Sequence, residues 1–232
     1  MIERIKLHHF PASRSARAKW ILHEVVGDGF DVERVSLYDG AQYSADFLRL
    51  NPNHAVPVLE IHWKSGETQI LHESAAMIAF LADAFPEKML APAPGLSAAR
   101  ADYQQMLFFG AGVIDMILWQ IRIHEHVLPL AERDASTISR YRKKFALEIE
   151  PQLAARLEQG GYICGDAFSA ADILIGHCVF WARGYGLCRE DVFRAYFSRL
   201  SKRPAFIAAF ADAREFVPQV PQDKPMARQF TG

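Results

Sequence analysis

Cysteine is scarce in this chain. Three stand among 232 residues, at 164, 178 and 188, an odd number with no Cys-x-x-Cys pair. That count argues against a disulfide framework and fits a reducing compartment with free thiols. No His/Cys cluster has metal-ligand spacing. His124 and His126 lie two apart and cannot share one helix face, so no metal is expected. An excess of either charge is missing as well: 26 Lys and Arg against 27 Asp and Glu give a formal net charge of -1. A near-neutral balance gives no electrostatic ground for nucleic acid or an anionic membrane as partner. The densest basic knot, Arg140-Tyr141-Arg142-Lys143-Lys144, is short and reads as a solvated helix face. No stretch reaches 18 apolar residues, so no membrane span is expected. The N-terminus MIERIKLHHF lacks a basic region followed by an apolar run, so no secretory signal is visible. A cytoplasmic, soluble protein is the expectation.

What is present points to a packed core. Hydrophobic residues make up 50% of the chain, enough to exclude disorder. The length allows one large domain or two small ones. Ile2 to Phe10 alternates as a strand, with Ile5 and Leu7 to one side and Lys6 and His8 to the other. From Ser13 a helical stretch runs through Ala16, Trp20, Ile21 and Val25 to a stop at Gly27. Phe30 to Leu37, Val56 to Ile61 and Thr68 to Leu71 read as further strands, with a helical turn or two over Tyr43 to Leu50. Glu73 to Phe85 is helical and ends before Pro86. The order β-α-β-α-β-β-α describes a mixed sheet flanked by helices over 1–85. PEKMLAPAPGLSAAR then marks a linker, taken as 86–96. Residues 97–232 read as all-helical, with long helices over Ala98 to His126 and Ala131 to Gln159 and a buried one over Ala170 to Tyr185. Gly110-Ala111-Gly112 lacks the third glycine and the preceding strand of a nucleotide loop, and reads as a site of close packing.

Four motifs, in order, carry a resemblance to a known family. They are PASRSARAKWILHEV after the first strand; Asn51-Pro52-Asn53-His54-Ala55-Val56-Pro57-Val58-Leu59; Leu71-His72-Glu73-Ser74-Ala75-Ala76-Met77-Ile78; and Gly165-Asp166-Ala167-Phe168-Ser169-Ala170-Ala171-Asp172-Ile173. Together they make the chain similar to the cytosolic glutathione transferases over nearly its full length, and closest in kind to serine-type bacterial members. The resemblance implies a thioredoxin-like N-terminal domain and an all-α C-terminal domain.

It also implies roles for named residues. Ser13, at a strand-to-helix turn, would hold the glutathione thiolate. A thiol of pKa near ~8.5 is mostly protonated at neutral pH, and a hydroxyl donor favours the anion. Ser13 also suits a plain helix cap, and Ser15 is the rival hydroxyl. The loop holds no Tyr and no Cys, which argues against the tyrosine-type and thiol-exchange members. Val56 would offer its backbone to the cysteinyl part of glutathione, before a cis Pro57. Glu73 and Ser74, at a helix start, would take the γ-glutamyl end, since free N–H groups there bind carboxylates. His54-Ala55 stands where the family often has Gly-Lys, leaving His54 as a weak substitute toward the glycyl carboxylate. Ser169 to Asp172 has the form of a capping box and is assigned to folding.

An electrophile pocket is expected from Phe10, Pro11, Met106, Phe109, Val113, Ile117 and Gln120, the helical members falling three or four apart. A second set on the same helix (Leu107, Phe108, Ile114 and Leu118) motivates a homodimer. The implied activity is conjugation of glutathione, a cosubstrate, to small hydrophobic electrophiles, as in detoxification. A glutathione-dependent isomerase, dehalogenase or peroxidase, and a non-catalytic binding protein, are the alternatives.

Overall fold

The computed structural model of the protein describes residues 1–228 and divides into two compact units. One joins Met1–Leu81 to the chain from Pro204 onward; the other is Ala82–Arg203.

The first unit is a thioredoxin-like mixed sheet. Its four strands are β1 (Ile2–His9), β2 (Asp31–Arg34), β3 (Val58–Trp63) and β4 (Thr68–Leu71), in the order β2-β1-β3-β4. β1 runs parallel to β2 and antiparallel to β3, with Leu7 opposite Leu59 and Ile5 opposite Ile61. These four side chains are buried, as the alternation in β1 required. His8, expected on the polar side, is also buried; its Nε2 meets the Glu60 carboxylate across the sheet. Helix α1 (Ser15–Val26) fills the parallel crossover and stops where Gly27 takes φ 63. The short α2 (Ala45–Leu50) is capped by the Ser44 hydroxyl, and α3 (Ser74–Ala84) carries the chain out of this unit.

The segment after Pro204 belongs with the sheet rather than with the preceding helices. Its physical motive is Trp20. Phe206 and Phe210 meet that ring edge-on, at centroid distances of 4.9 and 6.2 Å. Covering a tryptophan is worth on the order of 2–3 kcal/mol, and local sequence gives no sign of which partner, 186 or more residues away, will supply the cover.

The second unit is helical. Ala98–Val127 is one continuous helix opened by the Ser97 hydroxyl, which accepts from the Arg100 N–H at 3.1 Å. It is wound as a π-helix over Gly110–Ile114 and again over Ile123–Val127. Gly110 allows close packing: a Cβ there would lie 2.8 Å from Ile175 Cδ1 and 2.9 Å from Leu174 Cδ2, and those side-chain ends would have to shift. By length and composition this helix could cross a membrane, with mean hydropathy 1.5, but half of its most apolar window is buried within the protein. A second long helix spans 135–160 after Asp134, whose carboxylate accepts the Ser136 and Thr137 N–H groups. Ala170–Gly184 is the buried centre, and Asp191–Leu200 packs beside it. The capping box forms as read: Asp172, fully buried, accepts the Ser169 N–H at 2.9 Å. It also takes the Ile163 N–H and the Tyr196 hydroxyl, each at 2.8 Å.

Candidate active site

The site is assembled where β1 ends. Between His9 and α1 the chain makes a turn in which Ala12 takes φ 50. Two hydroxyls fold into that turn. Ser13 Oγ donates to the Phe10 carbonyl at 2.8 Å and accepts the Ser15 N–H at 3.2 Å, two hydrogen bonds that tighten the turn ahead of α1. Ser15 Oγ accepts the Phe10 N–H at 3.0 Å and lies 2.8 Å from Ser13 Oγ. Burial separates the two: Ser15 is completely buried, Ser13 half-buried. Of the rival hydroxyls, Ser13 is the more accessible to solvent.

Behind Ser15 the chain of contacts continues inward. His9 Nδ1 lies 2.7 Å from Ser15 Oγ, and His9 Nε2 lies 3.0 Å from Asp212 Oδ2. Lys19 Nζ reaches the same oxygen at 2.7 Å. Burial of Asp212 opposes its ionisation. The hydrogen bonds from His9 and Lys19 outweigh this and hold the carboxyl well below the usual carboxylate range. Sequence reading missed His9, Lys19 and Asp212. The first two lie near the motif but carry no signal of their own, and Asp212 is far along the chain.

A second wall comes from the turn before β3. The Val56-Pro57 peptide is cis. Asn51 braces this turn through its side-chain amide, which donates to the Ala55 carbonyl at 2.8 Å. His54 takes φ 44, stays exposed, and stands 5.0 Å from the Tyr43 ring, centroid to centroid. A third wall is the start of α3. Glu73 is exposed with φ 66, an αL conformation that costs a non-glycine residue about 1 kcal/mol or more. Ser74 Oγ accepts from Arg17 Nη1 at 3.4 Å, and Arg17 is buried in α1. A guanidinium thus stands beside the residue proposed for a carboxylate, a feature the motif alone did not reveal. All of these residues belong to the first unit.

The expected electrophile stripe is not one surface. Phe10 is buried, its ring edge-on to Tyr38 at 5.1 Å and to Phe216 at 6.5 Å, and Pro11 is buried too. Met106 and Phe109 share a cavity of about 230 Å³ with Gln105, Gln152, Leu153 and Arg156, all in the helical unit. Val113 and Ile117 do not line it: Val113 is 40% exposed and Ile117 is 3%. Gln120 is half-buried on the outer part of the same helix. The cause is the π-wound stretch over Gly110–Ile114, which inserts extra backbone and turns the later residues out of the register of an even α-helix. The second set divides similarly. Leu107, Ile114 and Leu118 are buried, whereas Phe108 is 75% exposed.

Comparison with known proteins agrees with this geometry. Residues 13–84 match the family described as "Glutathione S-transferase, N-terminal domain". Glutathione S-transferase GstB of Escherichia coli is 30% identical over 175 residues, which covers 72% of this chain and 78% of that one. The disulfide-bond oxidoreductase YfcG of the same organism is 28% identical over 213 residues, 87% of this chain and 92% of that one. A glutathione transferase family member from Pseudomonas fluorescens, solved with two glutathione bound, superposes with a TM-score of 0.77. It is 24% identical and covers 90% of this chain and 92% of that one, a likeness of fold. The chain belongs to the glutathione S-transferase family.

Proposed function

We propose that this protein is a serine-type glutathione transferase that joins the glutathione sulfur to small hydrophobic electrophiles. The observation that carries the reading is the half-buried Ser13 hydroxyl, held at the mouth of a hydrogen-bonded turn between β1 and α1. Glutathione would lie along the first unit. Val56 would pair its backbone N–H and C=O with the cysteinyl residue. Ser74 and the N-terminus of α3 would take the γ-glutamyl carboxylate, with the Arg17 charge behind them and Glu73 on the ammonium. His54 would face the glycyl end, exposed and therefore weakly held. The Ser13 O–H then donates to the sulfur. The thiol proton leaves to solvent, the thiolate forms a C–S bond, and the leaving group departs with its bonding pair. The protein's contribution is a lowered thiol pKa together with proximity. The remaining features carried over from the family are a homodimer and a cytosolic setting.

A second reading has support in a relative named as a disulfide-bond oxidoreductase. In it, two glutathione thiols would reduce one disulfide substrate and leave as glutathione disulfide. The protein's own cysteines fit no such role. All three lie in the helical unit, and Cys178 and Cys188 are buried. Burial, with the Asp172 and Asp102 charges behind it, pushes the Cys164 thiol up to about 12.

Parallel assays separate the readings. The purified protein is given glutathione with an activated aryl halide, and separately with a small disulfide. Aryl thioether formation that falls in Ser13→Ala supports conjugation. Turnover of the disulfide alone replaces it with the redox reading, and binding of glutathione without either reaction sinks both.

A further inference from the structure

Two walls of the site, the turn before β3 and the start of α3, meet through one further side chain, His72. It follows β4 directly and precedes Glu73 and Ser74. Its Nε2 lies 2.7 Å from the carbonyl of Leu50, the last residue of α2. A carbonyl only accepts, so Nε2 is the nitrogen that carries a proton, in the neutral ring as in the charged one. The Leu50 carbonyl belongs to the peptide that leads into Asn51. Asn51 is buried, and its side chain braces the turn from within. Its amide donates to the Ala55 carbonyl at 2.8 Å, and its Oδ1 accepts the Asn53 N–H at 3.0 Å. Val56 and the cis Pro57 come next. One hydrogen bond from His72 therefore joins the residues that open α3 to the segment that shapes the cis turn.

The backbone on either side shows why such a tie matters. β3 and β4 pair as far as Leu59 opposite Leu71, so the ladder has ended where His72 stands. Glu73 then takes φ 66, a left-handed conformation that a residue with a Cβ holds only where its surroundings fix it. One restraint is His72 on Leu50. Another is the Glu73 carbonyl, which accepts the Met77 N–H at 3.0 Å. We propose that His72 is a positioning residue for glutathione: its hydrogen bond to Leu50 sets the distance between the wall that takes the γ-glutamyl end and the wall that takes the cysteinyl backbone. This rests on the proposed function, in which Val56 and the Glu73-Ser74 pair meet the same tripeptide. The competing account is a plain cap at the C-terminus of α2, where the last carbonyls lack helical partners. The two differ in what they control. A cap acts on stability alone, whereas a spacer decides which length of ligand fits.

The test measures fit as well as affinity. Dissociation constants are taken by calorimetry for glutathione and for a homologue lengthened by one methylene in its γ-glutamyl residue. Wild type, His72→Phe and His72→Gln are compared, with melting temperatures alongside. Phenylalanine keeps a ring and removes the donor; glutamine keeps a donor. In His72→Phe the constant for glutathione is expected to rise about 3–10-fold, the worth of one neutral hydrogen bond. The constant for the homologue should stay where it was, so the preference for glutathione falls by the same factor. His72→Gln should restore most of that preference. A preference unchanged in His72→Phe, whatever the melting temperature does, leaves only the cap and overturns the proposal. So does a glutamine variant no better than the phenylalanine one, or a wild type that binds both ligands equally. These results leave the conjugation reading intact. A wild type that binds no glutathione removes that reading, and the spacer with it. If His72→Phe does not fold, His72→Met removes the donor with a side chain that adapts to irregular gaps, and it is judged by the same criteria.

Discussion

His9 and Asp212 stand 203 positions apart and meet at 3.0 Å, with Lys19 closing on the same carboxylate oxygen at 2.7 Å. This contact ties the end of β1 to the C-terminal segment. It places a carboxylate, paired with Lys19, behind the two serines of the active-site turn, where it acts on stability.

Its effect on stability has a definite sign. The Asp212 carboxyl in the folded protein sits below the ordinary value of 3.8, through His9 and Lys19 and against burial. A depressed folded pKa adds stability that is present above the unfolded value and lost as pH falls through the folded one. Asp212→Asn should therefore lower stability at neutral pH and weaken the decline of stability below about pH 4. Urea midpoints measured from pH 7 to pH 2 check this; parallel curves for the two proteins would refute it.

The two serines should fail in different ways. Ser13→Ala removes one donor to an anion, a loss on the order of 2–4 kcal/mol in the barrier at most, with glutathione affinity nearly kept. Ser15→Ala strips a partner from the buried Phe10 N–H and from His9, which costs about 1–3 kcal/mol of folding stability. Steady-state kinetics and thermal melts on both variants decide the point. Turnover crippled in Ser15→Ala and unaffected in Ser13→Ala would reverse the assignment.

Gly160 closes the 135–160 helix against backbone. A Cβ there would lie 2.5 Å from the Gly165 carbonyl carbon, which no rotamer change relieves. The helix-propensity gain of alanine, about 1 kcal/mol, is smaller than the cost of moving that backbone. Gly160→Ala should destabilise by roughly 1–3 kcal/mol, read from a denaturant titration. A variant as stable as wild type would show that the turn relaxes freely.

Homodimer formation is expected through the outward face of the Ala98–Val127 helix. Phe108 is 75% exposed and Met116 51%, and each lies where a partner could cover it. Light scattering should give about twice the 26.2 kDa of one chain, and Phe108→Glu should shift the mass toward one chain. Wild type at the mass of a single chain would remove this expectation.

What the sequence determined by itself lay in short-range patterns. Alternation located β1. Thr68 to Leu71 came out as β4 to the residue, since a turn chemistry of Lys64-Ser65-Gly66-Glu67 leaves little freedom before it. Ser169 and Asp172 declared a capping box that needs only four consecutive residues to form. The turn holding Ser13, the Val56-Pro57 pair and the Glu73-Ser74 helix start are singled out through the family resemblance, whose motifs are runs of neighbours in sequence. Tertiary structure decided the rest. The even stripe of Met106, Phe109, Val113 and Ile117 assumed a regular α-helix, and a π-wound stretch whose Gly110 abuts Leu174 and Ile175 broke its register. The chain after Pro204 reads only as part of the all-helical 97–232. Contacts with distant residues place it: Phe206 and Phe210 meet Trp20, and Asp212 meets His9. Burial and long-range pairing depend on which surfaces happen to be left uncovered, and no local pattern of residues carries that information.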